Sequence, residues 1–274
     1  MAERRALRFD YAGDHLYGVL DLPSEPYRRG VLVVVGGPQY RAGSHRQFTL
    51  LARSLAAQGI AAMRFDYRGM GDSEGAMRNF EAVDEDLKAA IDAFFAEVPD
   101  LKEVVLWGLC DAASAAALYA AKDDRVSGVV LLNPWVRTES GEAKATLKHY
   151  YRARLFDASL WKKIATLNFD YRAAASSFRR LLGSAATAAP AGALPDRMHG
   201  GLGAFKGKVL VILSGADLTA QEFADLADGT AKWRALLGAP RVTRHTLPKA
   251  DHTCSHRVWH EQVAQWTAEW VRSW

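Results

Sequence analysis

The chain has 274 residues, of which 49% are hydrophobic and 24% charged, with a net charge of +4 and two cysteines. These values suit one α/β domain, or one carrying a sizeable insertion, built on a real core. The basic bias is mild and no aromatic-plus-basic reading motif accompanies it, so nucleic acid is not expected. Two cysteines give no disulfide framework, and no apolar run reaches the length of a bilayer span. Met1–Arg5 lacks the apolar core of a signal peptide, so a cytoplasmic, reduced setting is expected.

In chain order, Ala6–Phe9 and Leu16–Leu22 read as strands joined through Ala12-Gly13-Asp14, an antiparallel hairpin. Gly30–Val35 is a β-branched run suited to a strand buried on both faces. It opens into Gly36-Gly37-Pro38-Gln39 and a helix around Arg46–Ala57 closed by Gly59. Ile60–Phe65 is the next strand and leads into Asp66–Ser73, then a helix over Val83–Phe95. Asp66-Tyr67-Arg68-Gly69, with Gly71 and Ser73, reads as scaffold that pins a loop beneath the site. Val104–Trp107 and Val126–Leu132 are further buried strands, and strand–helix alternation argues for a parallel sheet covered on both faces.

The alternation breaks after Trp135. Residues 137–205 carry helical patches at Ala143–Leu155, Leu160–Ile164 and Ala173–Leu182, and Gly183–Gly203 reads as loop. The segment is expected to be a helical cap inserted after the sixth strand of a single domain spanning 1–274. Alternation resumes with a strand at Lys208–Leu213, a helix near Ala220–Leu237, a strand at Val242–Leu247 and a last helix from about Val258. Trp259, Val263, Trp266, Trp270 and Trp274 fall at helical spacing, the pattern of a buried stripe.

The chemistry centres on Gly108-Leu109-Cys110-Asp111-Ala112, between the central strand and a helix that begins with small residues. This is the frame of a nucleophile elbow with cysteine in the usual serine position. A sharp strand-to-helix turn brings the residues two before and two after the nucleophile into contact, and Gly108 and Ala112 are small enough. The sulfur would stand above the sheet edge at a helix N-terminus, where N–H groups and the macrodipole favour the thiolate. A buried cysteine that merely packs is the plainer alternative.

A nucleophile needs a base, and the base needs an acid to orient it. Asp217 follows the strand Lys208–Leu213 and His252 follows Val242–Leu247, giving the order nucleophile, acid, histidine. Asp217 could equally be a turn or N-cap aspartate and His252 a solvated loop histidine. Glu139 is the other plausible acid. The expected triad is Cys110–His252–Asp217. Its oxyanion hole would use the N–H groups of Gly37 and Asp111, with Gln39 behind Gly37 because Pro38 has no N–H. Gln39 and Trp135 are expected to bind substrate. His252, Cys254, His256 and His260 could tempt a zinc reading, but no Cys-x-x-Cys pair stands beside them and His252 already has a role. No metal and no cofactor are expected.

Along essentially the whole chain these features resemble the α/β-hydrolase fold family. Residues 36–48 (Gly36-Gly37-Pro38-Gln39 through Phe48) and Asn133-Pro134-Trp135-Val136-Arg137-Thr138-Glu139 resemble, more narrowly, the type 1 hydrolases associated with the exosortase A system. The resemblance implies a bacterial cytoplasmic enzyme. Cysteine for serine and alanine for glycine at the elbow depart from the broad family and count against ordinary esterase or lipase activity. Dienelactone hydrolases are similar in using cysteine there.

A thiolate nucleophile gives a thioester intermediate, so hydrolysis or transfer of an acyl group from a thioester or activated ester is the favoured reaction. Acyl transfer to an acceptor, and a catalytically silent binding or scaffold protein, are the alternatives. The substrate would be a small acyl compound. The basic residues Arg137, Lys144, Lys148, Arg152, Arg154, Lys162 and Lys163 would suit a coenzyme A or carrier thioester, although a solvated helix face is the plainer explanation. Oligomeric state is left open.

Overall fold

The computed structural model describes residues 3–25, 27–37, 39–136 and 192–274. The chain separates into two compact units, Met1–Val136 with Arg197–Trp274, and Arg137–Asp196. Of the expected cap, residues 137–191 lie outside the described residues, and with them Glu139, the basic residues from Arg137 to Lys163 and the three expected helical patches. Among the described residues no helix is long and apolar enough to cross a membrane.

Eight strands form one sheet: β1 (Glu3–Tyr11), β2 (Asp14–Leu22), β3 (Arg29–Val34), β4 (Ala62–Asp66), β5 (Glu103–Leu109), β6 (Val126–Leu132), β7 (Lys208–Ser214) and β8 (Val242–Leu247). Their spatial order is β1-β2-β4-β3-β5-β6-β7-β8. β1 and β2 pair antiparallel, as do β2 and β4, and every other pair is parallel. The first hairpin turns at Ala12 (φ 53°) and Gly13 (φ 91°), the positive-φ pair that a two-residue hairpin loop demands. β1 buries only Leu7, and its arginines keep the edge polar. The runs Arg29–Val34 and Ala62–Asp66 are buried at every position. Their β-branched and apolar residues serve both faces of the sheet.

Helices α1 (Gln47–Ala57), α2 (Asp84–Glu97), α3 (Asp111–Tyr119), α4 (Leu194–Ala204), α5 (Leu218–Gly229), α6 (Ala231–Leu237) and α7 (Arg257–Val271) flank the sheet. α1 and α7 pack together over one face, on Val31, Val33, Val105, Trp107, Val130 and Ile212. Gly30 and Gly108 point to the other face, where a Cβ would meet Phe94 of α2 and Ala112 of α3. β3 sends the chain first to β4 on one side and then to β5 on the other. The carboxyl ends of β3 and β5 therefore flank a topological switch point, where open α/β sheets bind ligands.

Three expectations need correction. The tract read as loop contains α4, whose Met198 and Leu202 are buried although its sequence, Leu-Pro-Asp-Arg-Met-His-Gly-Gly-Leu-Gly-Ala, has poor helix propensity. Packing against α3 outweighs that propensity. The helix expected near Ala220–Leu237 is two helices, broken at Thr230 (φ −123°, ψ 136°) where Gly229 and a β-branched residue meet. The tryptophan stripe of α7 is only partly interior. Val263, Ala264, Thr267, Ala268, Trp270 and Val271 are buried, while Trp259, Trp266 and Trp274 sit half-buried at its margin. Trp266 there stacks on His245 with ring centroids 4.3 Å apart.

A Cβ at Gly201 of α4 would lie 2.4 Å from the carbonyl oxygen of Ala117 in α3. Propensity alone makes Gly→Ala in a helix stabilising by about 1 kcal/mol. The backbone contact reverses that sign, and Gly201→Ala is expected to destabilise the protein by about 1–3 kcal/mol in urea unfolding. A gain in stability would show that α4 is not docked on α3.

Candidate active site

β5 ends at Leu109, α3 begins at Asp111, and Cys110 alone makes the turn between them. Its backbone (φ 61°, ψ −122°) lies outside the regions an L residue prefers. Neighbouring groups hold it there. The Cys110 N–H donates to the Leu132 carbonyl at 2.9 Å, and its own carbonyl accepts from Trp135 and Ala113, each at 3.1 Å. Ser114 Oγ ties the Trp135 carbonyl to α3 at 2.5 Å. A Cβ on Gly108 would come within 2.4 Å of the Ala112 carbonyl carbon, so the strand and helix can meet only over a glycine.

Asp217 and His252 arrive on adjacent loops. Gly215 N–H donates to the Leu247 carbonyl at 2.8 Å and Ala216 N–H to the Ala250 carbonyl at 3.0 Å, stapling the turn after β7 to the turn after β8. His252 Nδ1 then lies 2.9 Å from Asp217 Oδ2. Asp217 also caps α5, accepting from Thr219 N–H at 3.3 Å and Ala220 N–H at 3.1 Å. Both readings of Asp217, cap and partner of the histidine, describe it. The hydrogen bond to the Asp217 carboxylate, and after it the neighbouring Cys110 sulfur, raise the His252 pKa to about 10 against the opposing effect of burial. The structure thus brings Cys110, His252 and Asp217 together.

Asn133 and Ser214 are participants that sequence reading passed over. Asn133 is fully buried at φ 47°, a conformation asparagine tolerates better than most residues. Its Nδ2 donates to Ser214 Oγ at 3.0 Å and to the His252 carbonyl at 2.9 Å, and its Oδ1 accepts from Ser214 N–H at 2.8 Å. It joins the ends of β6 and β7 to the histidine loop. A polar residue between a buried strand and a proline was the available signal. Cys254 lies buried against Ser214 Oγ at 3.7 Å, and burial raises its thiol pKa to about 11. His256 precedes α7 and packs its ring edgewise on Trp259.

The expected oxyanion hole differs from its sequence reading. Gly37 N–H donates to the side chain of Asp111, at 2.8 Å from Oδ2, and Gln39 N–H donates to the Gly37 carbonyl at 2.8 Å. Neither is open to a ligand. A side-chain carboxylate one bond series away from the expected backbone donor competes for the same groups. Gln39 is half-buried, and its Oε1 is buried with no hydrogen-bond partner among the described residues. Trp135 is half-buried and holds the elbow through its backbone. Beneath the site, Asp66 accepts from Arg41 N–H at 2.7 Å and from the Arg41 guanidinium, fastening the loop after β3 to the end of β4.

The sheet and the positions at its switch point define an α/β hydrolase. The family described as serine aminopeptidase S33 (Hydrolase_4) matches residues 27–179, and the chain belongs to it. It is 30% identical over 125 residues to the quorum-quenching protein AidA of Acinetobacter baumannii, which is 44% of this chain and 40% of that protein. The chain thus spans two fifths of the length of that curated relative. Among solved structures, the esterase Pf2001 of Pyrococcus furiosus superposes with a TM-score of 0.68 at 15% identity, covering 100% of this chain and 91% of that one. Est1E of Butyrivibrio proteoclasticus, solved with ferulic acid bound, gives 0.63 at 16% identity over 97% of both chains. These likenesses show the fold. The family takes its name from serine, and this chain has Cys110 at the elbow.

Because the folded His252 keeps a proton that the unfolded chain releases near pH 6.5, its contribution to stability is fully present below pH 6.5. It is lost as pH rises through about 10. In NMR titration the wild-type ring should titrate near 10. Asp217→Asn, which removes the largest cause, should bring it down toward 6.5, and Cys110→Ala should lower it by less. A ring still titrating near 10 in Asp217→Asn would mean that another group holds the proton.

Proposed function

We propose that the protein is a hydrolase of acyl esters or thioesters that works through Cys110, His252 and Asp217 and a covalent acyl-cysteine. The observation that carries this reading is the His252 Nδ1–Asp217 Oδ2 contact of 2.9 Å, with the Cys110 sulfur near enough to the same ring to raise its pKa and set on a strained strand-to-helix turn. Asp217 orients the imidazole, and an imidazolium there is the natural partner of a thiolate. The sulfur attacks the acyl carbon, and the leaving group departs with its electron pair, taking the His252 proton. Water, deprotonated by His252, then releases the acid and restores the sulfur.

The esterase relatives support acyl-ester chemistry of this kind. Cysteine directs the reading toward thioesters or activated esters, because exchange of one thioester for another is nearly thermoneutral. A setting beside the bacterial exosortase A system, suggested by residues 36–48 and 133–139, belongs to the same proposal.

Intact-protein mass spectrometry after exposure to a panel of acyl thioesters and esters tests it. A single acyl adduct on wild type, absent from Cys110→Ala, is expected, together with loss of turnover by at least about 10³-fold in that variant. Adding an amine or alcohol acceptor separates hydrolysis from transfer by the product formed. Undiminished turnover in Cys110→Ala removes the nucleophile from consideration.

A further inference from the structure

Next to Cys110 in the chain stands a carboxylate that is already bound by backbone N–H groups. Asp111 Oδ2 accepts from Gly37 N–H at 2.8 Å and Oδ1 accepts from Ala112 N–H at 2.9 Å. The loop after β3 is shaped around this carboxylate. A Cβ built on Gly36 would lie 2.0 Å from Asp111 Oδ1 and 2.8 Å from Ala112 N, so only glycine leaves room for the carboxylate. Gly37 turns at φ 57°, and its N–H meets Oδ2.

The Gly37 contact occupies one of the two donors that acyl chemistry requires. When a sulfur attacks an acyl carbon, the carbonyl oxygen becomes an oxyanion and needs N–H donors aimed at it. A carboxylate holding the Gly37 donor repels that charge and competes for its place. Displacement at a saturated carbon develops no oxyanion and makes no such demand. The two reactions of one sulfur should therefore respond differently to this side chain.

We propose that Asp111 is the specificity-determining residue of the site: its carboxylate holds the Gly37 N–H donor of the oxyanion hole from within, so Cys110 is open to alkylation while acylation requires that carboxylate first to release Gly37. The inference rests on Cys110 being the nucleophile. It makes Asp111 the residue that selects substrates able to displace it, and simple esters the poorest of them. Burial raises the Asp111 pKa against the opposing hydrogen bonds of Gly37 and Ala112, in line with a carboxylate held where it is poorly hydrated.

The experiment compares two reactions of Cys110 in the full chain. With 4-nitrophenyl acetate the sulfur forms a C–S bond to the acetyl carbon and 4-nitrophenolate leaves with its electron pair. With iodoacetamide the sulfur forms a C–S bond to the methylene carbon and iodide leaves. Single-turnover rates of both are taken at matched pH for wild type, Asp111→Ala and Asp111→Asn. Taking their ratio cancels much of any change in the thiolate fraction.

Emptying the hole in Asp111→Ala is expected to raise the acylation-to-alkylation ratio by at least about tenfold, since one oxyanion donor is worth roughly 10²–10³-fold. Asp111→Asn, neutral but similar in shape, should give a smaller rise. The iodoacetamide rate and the melting curve report whether each variant is folded, and Asp111→Asn carries the test if Asp111→Ala is not. A ratio that stays level or falls in the folded variants, including one in which acylation remains undetectable, overturns the inference and leaves the Cys110 reading standing. Cys110→Ala that still releases 4-nitrophenolate at the wild-type rate removes that reading and this inference with it.

Discussion

At Cys110 the backbone takes a conformation (φ 61°, ψ −122°) that costs an L residue on the order of 1–3 kcal/mol. The turn survives because its surroundings over-determine it. β6 accepts its N–H, Trp135 and α3 donate to its carbonyl, and α3 is seated directly on the bare Cα of Gly108. These partners come from β6, the loop after it and α3. The sulfur's position is therefore a property of the assembled sheet and not of the pentapeptide, and the histidine loop, the carboxylate of Asp217 and the glycines after β3 are all placed relative to it.

The histidine is held by a shared carboxylate. Asp217 Oδ2 accepts both from Ala220 N–H, at the start of α5, and from the His252 ring. The orientation of the imidazole is thereby linked to the helix N-terminus, whose N–H groups stabilise the aspartate as an anion. Asn133 completes the arrangement from behind by bonding the His252 carbonyl and both polar groups of Ser214. Three strand ends meet in this small buried network, which leaves its own polar groups satisfied and gives the loop after β8 little freedom.

Asp111 shows how one position can carry opposing effects. As the first residue of α3 it brings negative charge to a helix N-terminus, which is favourable in itself. Its carboxylate also reaches across to Gly37, spending a donor that acyl chemistry would otherwise use. The space vacated by the missing side chain of Gly36 is what lets both happen. A glycine pair that reads as a plain turn or as an oxyanion donor is, in the folded chain, a cradle for a neighbour's side chain.

Much of this was legible in the linear chain. The buried runs at Gly30–Val35, Val126–Leu132 and Lys208–Leu213, the small residues framing Cys110, and the order of Cys110, Asp217 and His252 were readable because they follow from local periodicity and from steric limits on a tight turn. Other features were not, and for a common reason. α4 is a helix because the fold buries its Met198 and Leu202, not because Gly200, Gly201 and Gly203 favour one. The pairing of Asp217 with His252, 35 residues apart, depends on β7 and β8 lying side by side. The occupant of the Gly37 donor was decided only once α3 had docked and brought Asp111 Oδ2 within 2.8 Å of it. Local pattern determines which elements form and which residues end them; distances between groups far apart in the chain, and competition for one donor, exist only after the sheet has assembled.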